Sequence, residues 1–403
     1  MSDEGSVLQP QGGIADTPIP MDKYLTYRLR GIPDEFDGQG LKDLVKQALN
    51  LEISIDVTVK SLASDPSRQG KKIATLDFSG TPARLSKQTE TREWKVPTGD
   101  NRFILLFDTH FRGFTPLHKQ DDKSCTIDLI AISGLASHAF GSFKARDDSY
   151  MWLRDTLPNE NLKMRILIYG YDTRLEGSTS IANLDDLSNV FQSSVKNIRS
   201  YVRRETYGLR FDPERPLILL GHSLGGIVIK AALNRMVSGD KSDIANFNSI
   251  RGMLFFGVPN QGMPIDRWVP IVGNQPNRFF IEQLGKASDI LQIHRDTFRK
   301  VFTFKDSHIY SFYETEKSPT IFKKRSKWDL TGPLSELVDR ASATHGRHWE
   351  ESGGYIKPIH QTHSNLVKFA SAYDDNYDTV LHCLSEMAHD ACEVIGKRFR
   401  CTS

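Results

Sequence analysis

Cysteine is scarce in these 403 residues. The four that occur, Cys125, Cys383, Cys392 and Cys401, include no C-x-x-C pair, and three crowd the C-terminal end. That arrangement disfavours a disulfide framework and a zinc site, and a reducing, intracellular compartment fits it best. Long apolar runs are missing too, since none approaches the ~20 residues needed to span a bilayer. The first residues, Met1 to Gly13, are acidic and polar and lack the basic and apolar regions of a secretory signal. Charge of one sign is also lacking: 52 basic residues face 50 acidic ones, so nothing in the balance calls for nucleic acid or a strongly anionic surface. The expectation is a cytoplasmic, non-secreted protein, with contact at the periphery of an internal membrane left open. What is present is enough apolar residue, 38%, for the core of a large domain plus a small one.

Residues 1–20 are rich in Gly, Pro, Ser and Asp and are expected to be a disordered tail. Residues 21–107 suit a small α+β domain. Tyr24 to Leu29 alternates like a strand, Leu41, Leu44, Val45 and Leu49 have helical spacing, and Ile53 to Val59 and Lys71 to Phe78 alternate again. The order β-α-β-β-α-β suggests a ferredoxin-like sandwich. Some such domains bind RNA, but the strand from Lys71 to Phe78 lacks the exposed stacking aromatics that this requires. No nucleic acid is expected, and a protein partner docking on this domain is left open.

Residues 108–395 alternate strands and helices, the mark of a mostly parallel sheet wrapped by helices. Strands are expected at Ile127–Ile132, Arg165–Tyr171, Pro216–Leu220 and Met253–Val258. Helices are expected from Leu184 through Val202, behind an Asn183 cap, and at Ile227–Met236. The segment at 260–300 is a candidate cap over the sheet, and Trp268, Phe279 and Phe280 within it are candidates to line a substrate pocket. Ordinary core packing is the competing reading for these three.

Chemistry concentrates where the strand ending near Leu220 turns into a helix, at Gly221-His222-Ser223-Leu224-Gly225-Gly226. A serine hydroxyl is a weak nucleophile. It needs a sharp turn that exposes it, a neighbouring base, and donors for the oxyanion that develops. Gly-x-Ser-x-Gly between strand and helix supplies the turn, so Ser223 is the candidate nucleophile of an α/β-hydrolase fold. A decayed copy of that fold, or a packing turn, is the rival reading. By position the Leu224 N–H is the first oxyanion donor, and the N–H of Gly134 or Leu135, after the strand Ile127–Ile132, is the second.

At this point the chain resembles the fungal lipase-like serine hydrolases related to the GPI inositol-deacylase and serine-active-site-containing protein groups. The likeness rests on Ile127-Asp128-Leu129-Ile130-Ala131, Trp152-Leu153-Arg154-Asp155, Tyr169-Gly170-Tyr171-Asp172, Gly221 to Lys230, Phe255 to Pro259, Ser311 to Thr315 and His363 to Phe369. In many such proteins the hydrolase precedes NACHT, ankyrin or TPR regions. This chain stops soon after residue 395, so none is expected to follow. Two positions depart from the pattern: Ser133-Gly134 stands where His-Gly is usual, and Pro259-Asn260-Gln261-Gly262 where Pro-His-Arg-Gly is frequent. The first changes the neighbour of the oxyanion loop, the second the pocket rim.

In this fold the triad runs Ser, acid, His along the chain. His345, His348, His360 and His363 all lie near the last loop. The resemblance selects His363, with His360 its main competitor. The acid should end the strand before the one that leads to the histidine. His308 to Tyr313 reads as that strand and puts Glu314 at its end, with Asp339 and Asp329 as alternatives. The reading is a serine esterase or lipase-like enzyme acting on a small-molecule acyl substrate, lipid-like or otherwise, without metal or organic cofactor. A signalling or interaction module using the same fold is its rival. Trp152 and Tyr171 are read as packing residues.

Overall fold

The computed structural model describes residues 25–86, 92–118, 125–199, 214–266, 268–320, 322–324, 327–329, 331–351 and 354–402. The N-terminal tail, Tyr24, Val202 and the Asp329 side chain lie outside what is described.

The first sheet has five antiparallel strands. Along the chain come β1 (Thr26–Pro33), α1 (Gly38–Leu49), β2 (Val57–Ser64), β3 (Lys71–Phe78), β4 (Glu93–Pro97) and β5 (Ile104–Asp108). Side by side the strands run β2-β3-β1-β5-β4. Without β4 this is the ferredoxin-like order. The expected second helix shrinks, among the described residues, to one 3-10 turn at Ala83–Leu85. The Asp37 carboxylate starts α1 by accepting the Gly40 N–H at 2.7 Å, and Asn50 in the left-handed region ends it. Between these caps Leu41, Val45, Ala48 and Leu49 bury against Leu29, Leu76, Leu105 and Phe107. The alternation beginning at Ile53 is not a strand. The Ile55 N–H bonds to the Glu52 carbonyl at 2.9 Å, closing a turn, so β2 begins only at Val57 and Ile53 stands fully exposed.

The helix-free face of this sheet carries a polar row. Ser61, Thr75, Arg28 and Asp108 sit opposite one another on four neighbouring strands, and all four are buried. They are buried because the next strand, β6 (Gly113–Pro116), packs against β2 and β3. Arg28 Nη1 donates to the Arg112 carbonyl at 2.8 Å and to Thr115 Oγ1 at 2.9 Å, while its Nε donates to Asp108 at 2.8 Å. The face that a ferredoxin-like module offers to RNA is therefore covered by the rest of the chain.

The second sheet contains β6, β7 (Ile127–Ile132), β8 (Met164–Gly170), β9 (Leu217–His222), β10 (Ile250–Phe256), β11 (His308–Glu314) and β12 (Ile356–Ile359). Its order is β12-β11-β10-β9-β7-β8-β6, parallel throughout except where β6 runs against β8. Every residue of β7, β8, β9 and β10 is buried, as strands covered on both faces must be. One face packs against α2 (Leu184–Arg199), α3 (Leu224–Met236) and α4 (Asp289–Val301) through Phe191, Val195, Ile227, Leu233 and Phe298. The other packs against Trp152, Phe369 and, on α5 (Asp375–His389), Tyr377, Val380 and Leu384. This is the α/β-hydrolase fold. At the start of β7 the buried Asp128 pairs with Arg165 at 2.8 Å, with Arg199 and with Arg215. Burial alone would raise its carboxyl, but the three guanidiniums hold it well below the usual carboxylate range. The opposite, C-terminal ends of the strands carry the loops in which sites of such sheets form.

Candidate active site

Ser223 sits between β9 and α3 with φ 52° and ψ −126°, a strained conformation for any residue other than glycine. Its N–H donates to the Phe256 carbonyl on β10 at 2.9 Å, so the turn is anchored from below. A Cβ at position 225 would lie 2.5 Å from the Ile132 carbonyl oxygen, so only glycine lets α3 leave the turn this close to β7. Ser223 is 8% exposed. Its Oγ makes no hydrogen bond to a described residue, which leaves the hydroxyl open. In enzymes without substrate, catalytic hydrogen bonds are commonly loose in this way.

The loop after β7 lies against the same serine. A Cβ at Gly134 would stand 2.7 Å from Ser223 Cβ, so position 134 is confined to glycine by close approach. The loop is braced at its carbonyls. Tyr171 donates its hydroxyl to the Ser133 carbonyl at 3.0 Å, Ser137 Oγ donates to that of Gly134 at 2.6 Å, and Thr173 Oγ1 to that of Ser137 at 2.6 Å. The Ala136 N–H closes the loop by donating to the Thr173 carbonyl at 2.9 Å. The N–H groups of Gly134 and Leu135 have no partner among the described residues. At the start of α3 the Gly226 N–H turns back to the Ser223 carbonyl at 3.1 Å, while the Leu224 N–H has no partner among the described residues. The geometry thus leaves free N–H groups on both sides of Ser223, the requirement for stabilising an oxyanion.

The structure sets Glu314 against His363. His363 Nδ1 donates to Glu314 Oε2 at 2.6 Å, and both side chains are buried. Glu314 Oε1 accepts the Leu337 N–H at 2.8 Å, and the His363 N–H donates to Ser318 Oγ at 2.9 Å, so both members are held from outside the pair. The alternatives are engaged elsewhere. Asp339 caps a short helix through the Ser342 N–H at 2.8 Å and pairs with Lys286 at 2.9 Å, while His360 is exposed and bonds to Thr315 Oγ1 at 2.8 Å.

His222 joins the turn of Ser223 to His363. Its Nε2 donates to the His363 carbonyl at 3.0 Å, and the two rings lie 5.2 Å apart. Burial, with repulsion from His363 adding to it, pushes the His222 imidazole down to about 3. The ring is therefore neutral at ordinary pH, with its one N–H placed on Nε2 by that carbonyl. Sequence reasoning passed over His222 because the middle positions of Gly-x-Ser-x-Gly carry no chemical requirement. The loop-bracing hydroxyl of Tyr171 was likewise read as packing, and its position directly after a buried strand was the one signal it offered.

The three candidate pocket residues separate. Phe280 is buried, and Trp268 is half-buried, both against the core cluster on the α3 side of the sheet. Phe279 is 64% exposed. The segment is mostly short helices, Val269–Val272 and Arg278–Gln283, followed by α4. Neighbours on a helix point about 100° apart, so adjacent phenylalanines cannot both face one acyl chain in the same way.

Comparison with known proteins finds protein SERAC1 of Mus musculus, 26% identical over 223 residues that make up 51% of this chain and 33% of that protein. Protein SERAC1 of Homo sapiens is 25% identical over 222 residues, 50% of this chain and 33% of its own. The aligned part thus spans about a third of the curated relatives it matches. No protein-family model matches. Similar solved structures include the mature Bacillus licheniformis lipase BlEst2, with 10% identity, 67% of this chain and 97% of that chain covered, and a TM-score of 0.41. Another is phospholipase PlaB from Legionella pneumophila in complex with thio-NAD, with 12% identity, 68% and 62% covered, and a TM-score of 0.39.

Proposed function

We propose that the chain is a serine hydrolase that cleaves a carboxylic ester through an acyl-enzyme. The observation that carries this reading is the buried Glu314–His363 pair, fixed at 2.6 Å, on the loops that His222 ties to the strained turn of Ser223. Ser223 Oγ attacks the acyl carbonyl as His363 Nε2 takes its proton. Glu314 keeps Nδ1 protonated and stabilises the imidazolium. The N–H groups of Leu224 and of Gly134 or Leu135 receive the oxyanion. His363 then protonates the leaving alcohol, and water, activated by the same base, releases the acid. Thioesters and amides share this chemistry. We read the chain as a small domain over residues 21–107 and a catalytic one over 108–395, with the segment 260–300 as its cap. No helix of the described residues is long and apolar enough to cross a membrane.

An alkyl fluorophosphonate probe tests the assignment. The wild type is expected to label at one site, and Ser223→Ala to keep its fold, lose labelling and lose roughly 10⁶-fold in turnover. A folded wild type that neither labels nor hydrolyses any ester of graded chain length would return the chain to the interaction-module reading. Labelling that persists in Ser223→Ala would move the nucleophile elsewhere.

A further inference from the structure

Between the helix-free face of the first sheet and β6 lies a cleft of about 390 Å³, whose lining includes none of the residues placed around Ser223. Arg28, Arg30, Arg68, Lys95 and Arg112 wall it, and Asp65 is the one carboxylate of the lining. We infer that this cleft is a binding site for a phosphate or pyrophosphate group.

Arg28 carries the argument. It is wholly buried, its Nε and Nη1 are engaged by Asp108, the Arg112 carbonyl and Thr115, and its Nη2 has no hydrogen-bond partner. A buried guanidinium donor left unpaired is costly, so a ligand oxygen that meets it gains more than one meeting a solvated arginine. Two further cations are available. Arg68 and Lys95 are exposed, and neither forms an ion pair within 4 Å among the described residues. Arg30 and Arg112 are held by Glu93 and Asp108 and by Asp172, carboxylates that do not line the cavity. The wall therefore sets five cations against one carboxylate, Asp65, which attracts Arg68 and Arg30, while Glu93, Asp108 and Asp172 stand outside the lining.

The ligand chemistry follows from donor type and from size. Planar guanidiniums pair with phosphate oxygens in bidentate fashion, and a compact dianion matches several cations converging from two sides. The volume falls at the small end of small-molecule sites. Single-stranded nucleic acid needs a continuous cationic track with stacking aromatics, and Phe114 is the one aromatic residue of this lining. The site is shared by the two sheets: Arg28, Arg30 and Lys95 come from the first, and Arg112 precedes β6. A bound phosphate thus ties them together and raises stability by linkage.

Isothermal titration of the full chain with pyrophosphate, at fixed ionic strength, tests the site. Saturable binding is expected, together with a rise in Tm. In Arg68→Ala/Lys95→Ala the Kd should weaken about tenfold or more while the unliganded Tm stays put, since both side chains are exposed and outside any ion pair. Arg28→Lys, if it folds, should weaken binding as well, because a single ammonium cannot supply the fork. A parallel titration with phosphatidylcholine vesicles containing phosphatidic acid separates the sources. Binding there, weakened by the same variants, would mark a lipid headgroup as the phosphate bearer, whereas binding of pyrophosphate alone marks a soluble one. No saturable binding to either probe, or binding that ignores the double variant, overturns the site. So does single-stranded RNA displacing pyrophosphate at a lower concentration than the pyrophosphate itself requires.

Discussion

At the residue scale the site depends on a few side chains whose roles differ in kind. Glu314 bonds to His363 and to the Leu337 N–H, so under the proposed mechanism its neutral variant tests orientation rather than nucleophilicity. Glu314→Gln should lower kcat by about 10³–10⁴-fold in a steady-state assay, while Asp339→Asn, whose carboxylate caps a helix, should stay within about twofold. The reverse result would assign the acid to Asp339. Lys230 makes a different point. It is buried on α3 between Phe255 and Phe298 and donates to Asn260 Oδ1 at 2.5 Å, with no carboxylate paired to it among the described residues. Burial pushes its ammonium down to about 7 from the ordinary 10.5. Between those values the unfolded chain holds a proton that the folded one does not. Stability from this group is therefore least below pH 7 and rises as pH climbs toward 10.5. Lys230→Met should raise the Tm most at pH 6 and progressively less toward pH 10, and a pH-independent difference in thermal melts would mean that Lys230 stays charged in the fold.

At the element scale the contrast lies between what is local in the chain and what is not. The strand-turn-helix around Ser223 was legible because six consecutive residues contain it. Glu314 was legible by position, as the end of an alternating strand. The competition between His360 and His363 could not be resolved by spacing, because the choice depends on which side of the chain after β12 faces Glu314. The false strand at Ile53 shows the limit of alternation, since a turn can place apolar residues two apart without any ladder. The adjacent Phe279 and Phe280 needed the rotation of a short helix that sequence does not reveal. They now make separate predictions. Phe280→Ala should cost about 3–5 kcal/mol in denaturant unfolding, as loss of a core aromatic does. Phe279→Ala should leave stability within about 0.5 kcal/mol. If catalytic efficiency rises from acetyl to medium-chain esters, Phe279→Ala is the variant that should flatten the rise. A flat wild-type profile would instead assign this segment no contact with acyl chains.

At the scale of the whole molecule, the buried row from Ser61 to Asp108 makes the first sheet a partner of the second rather than an appendage, because Arg28 spans the joint. The two edges of the large sheet are consequently unlike. At one edge β6 is packed beneath the first sheet. At the other, β12 is only four residues long and includes Pro358, opposite Tyr313 on β11, and among the described residues no further strand pairs with it. A strand edge with free N–H and C=O groups is a template on which another chain can add, and proline blocks it by removing a donor. Pro358 thus bears on what copies of this protein do to one another in concentrated solution. Pro358→Thr should leave hydrolysis nearly unchanged and accelerate the growth of light scattering on mild heating, in proportion to protein concentration. Equal scattering rates in the two proteins would mean that brevity alone keeps this border from recruiting neighbours.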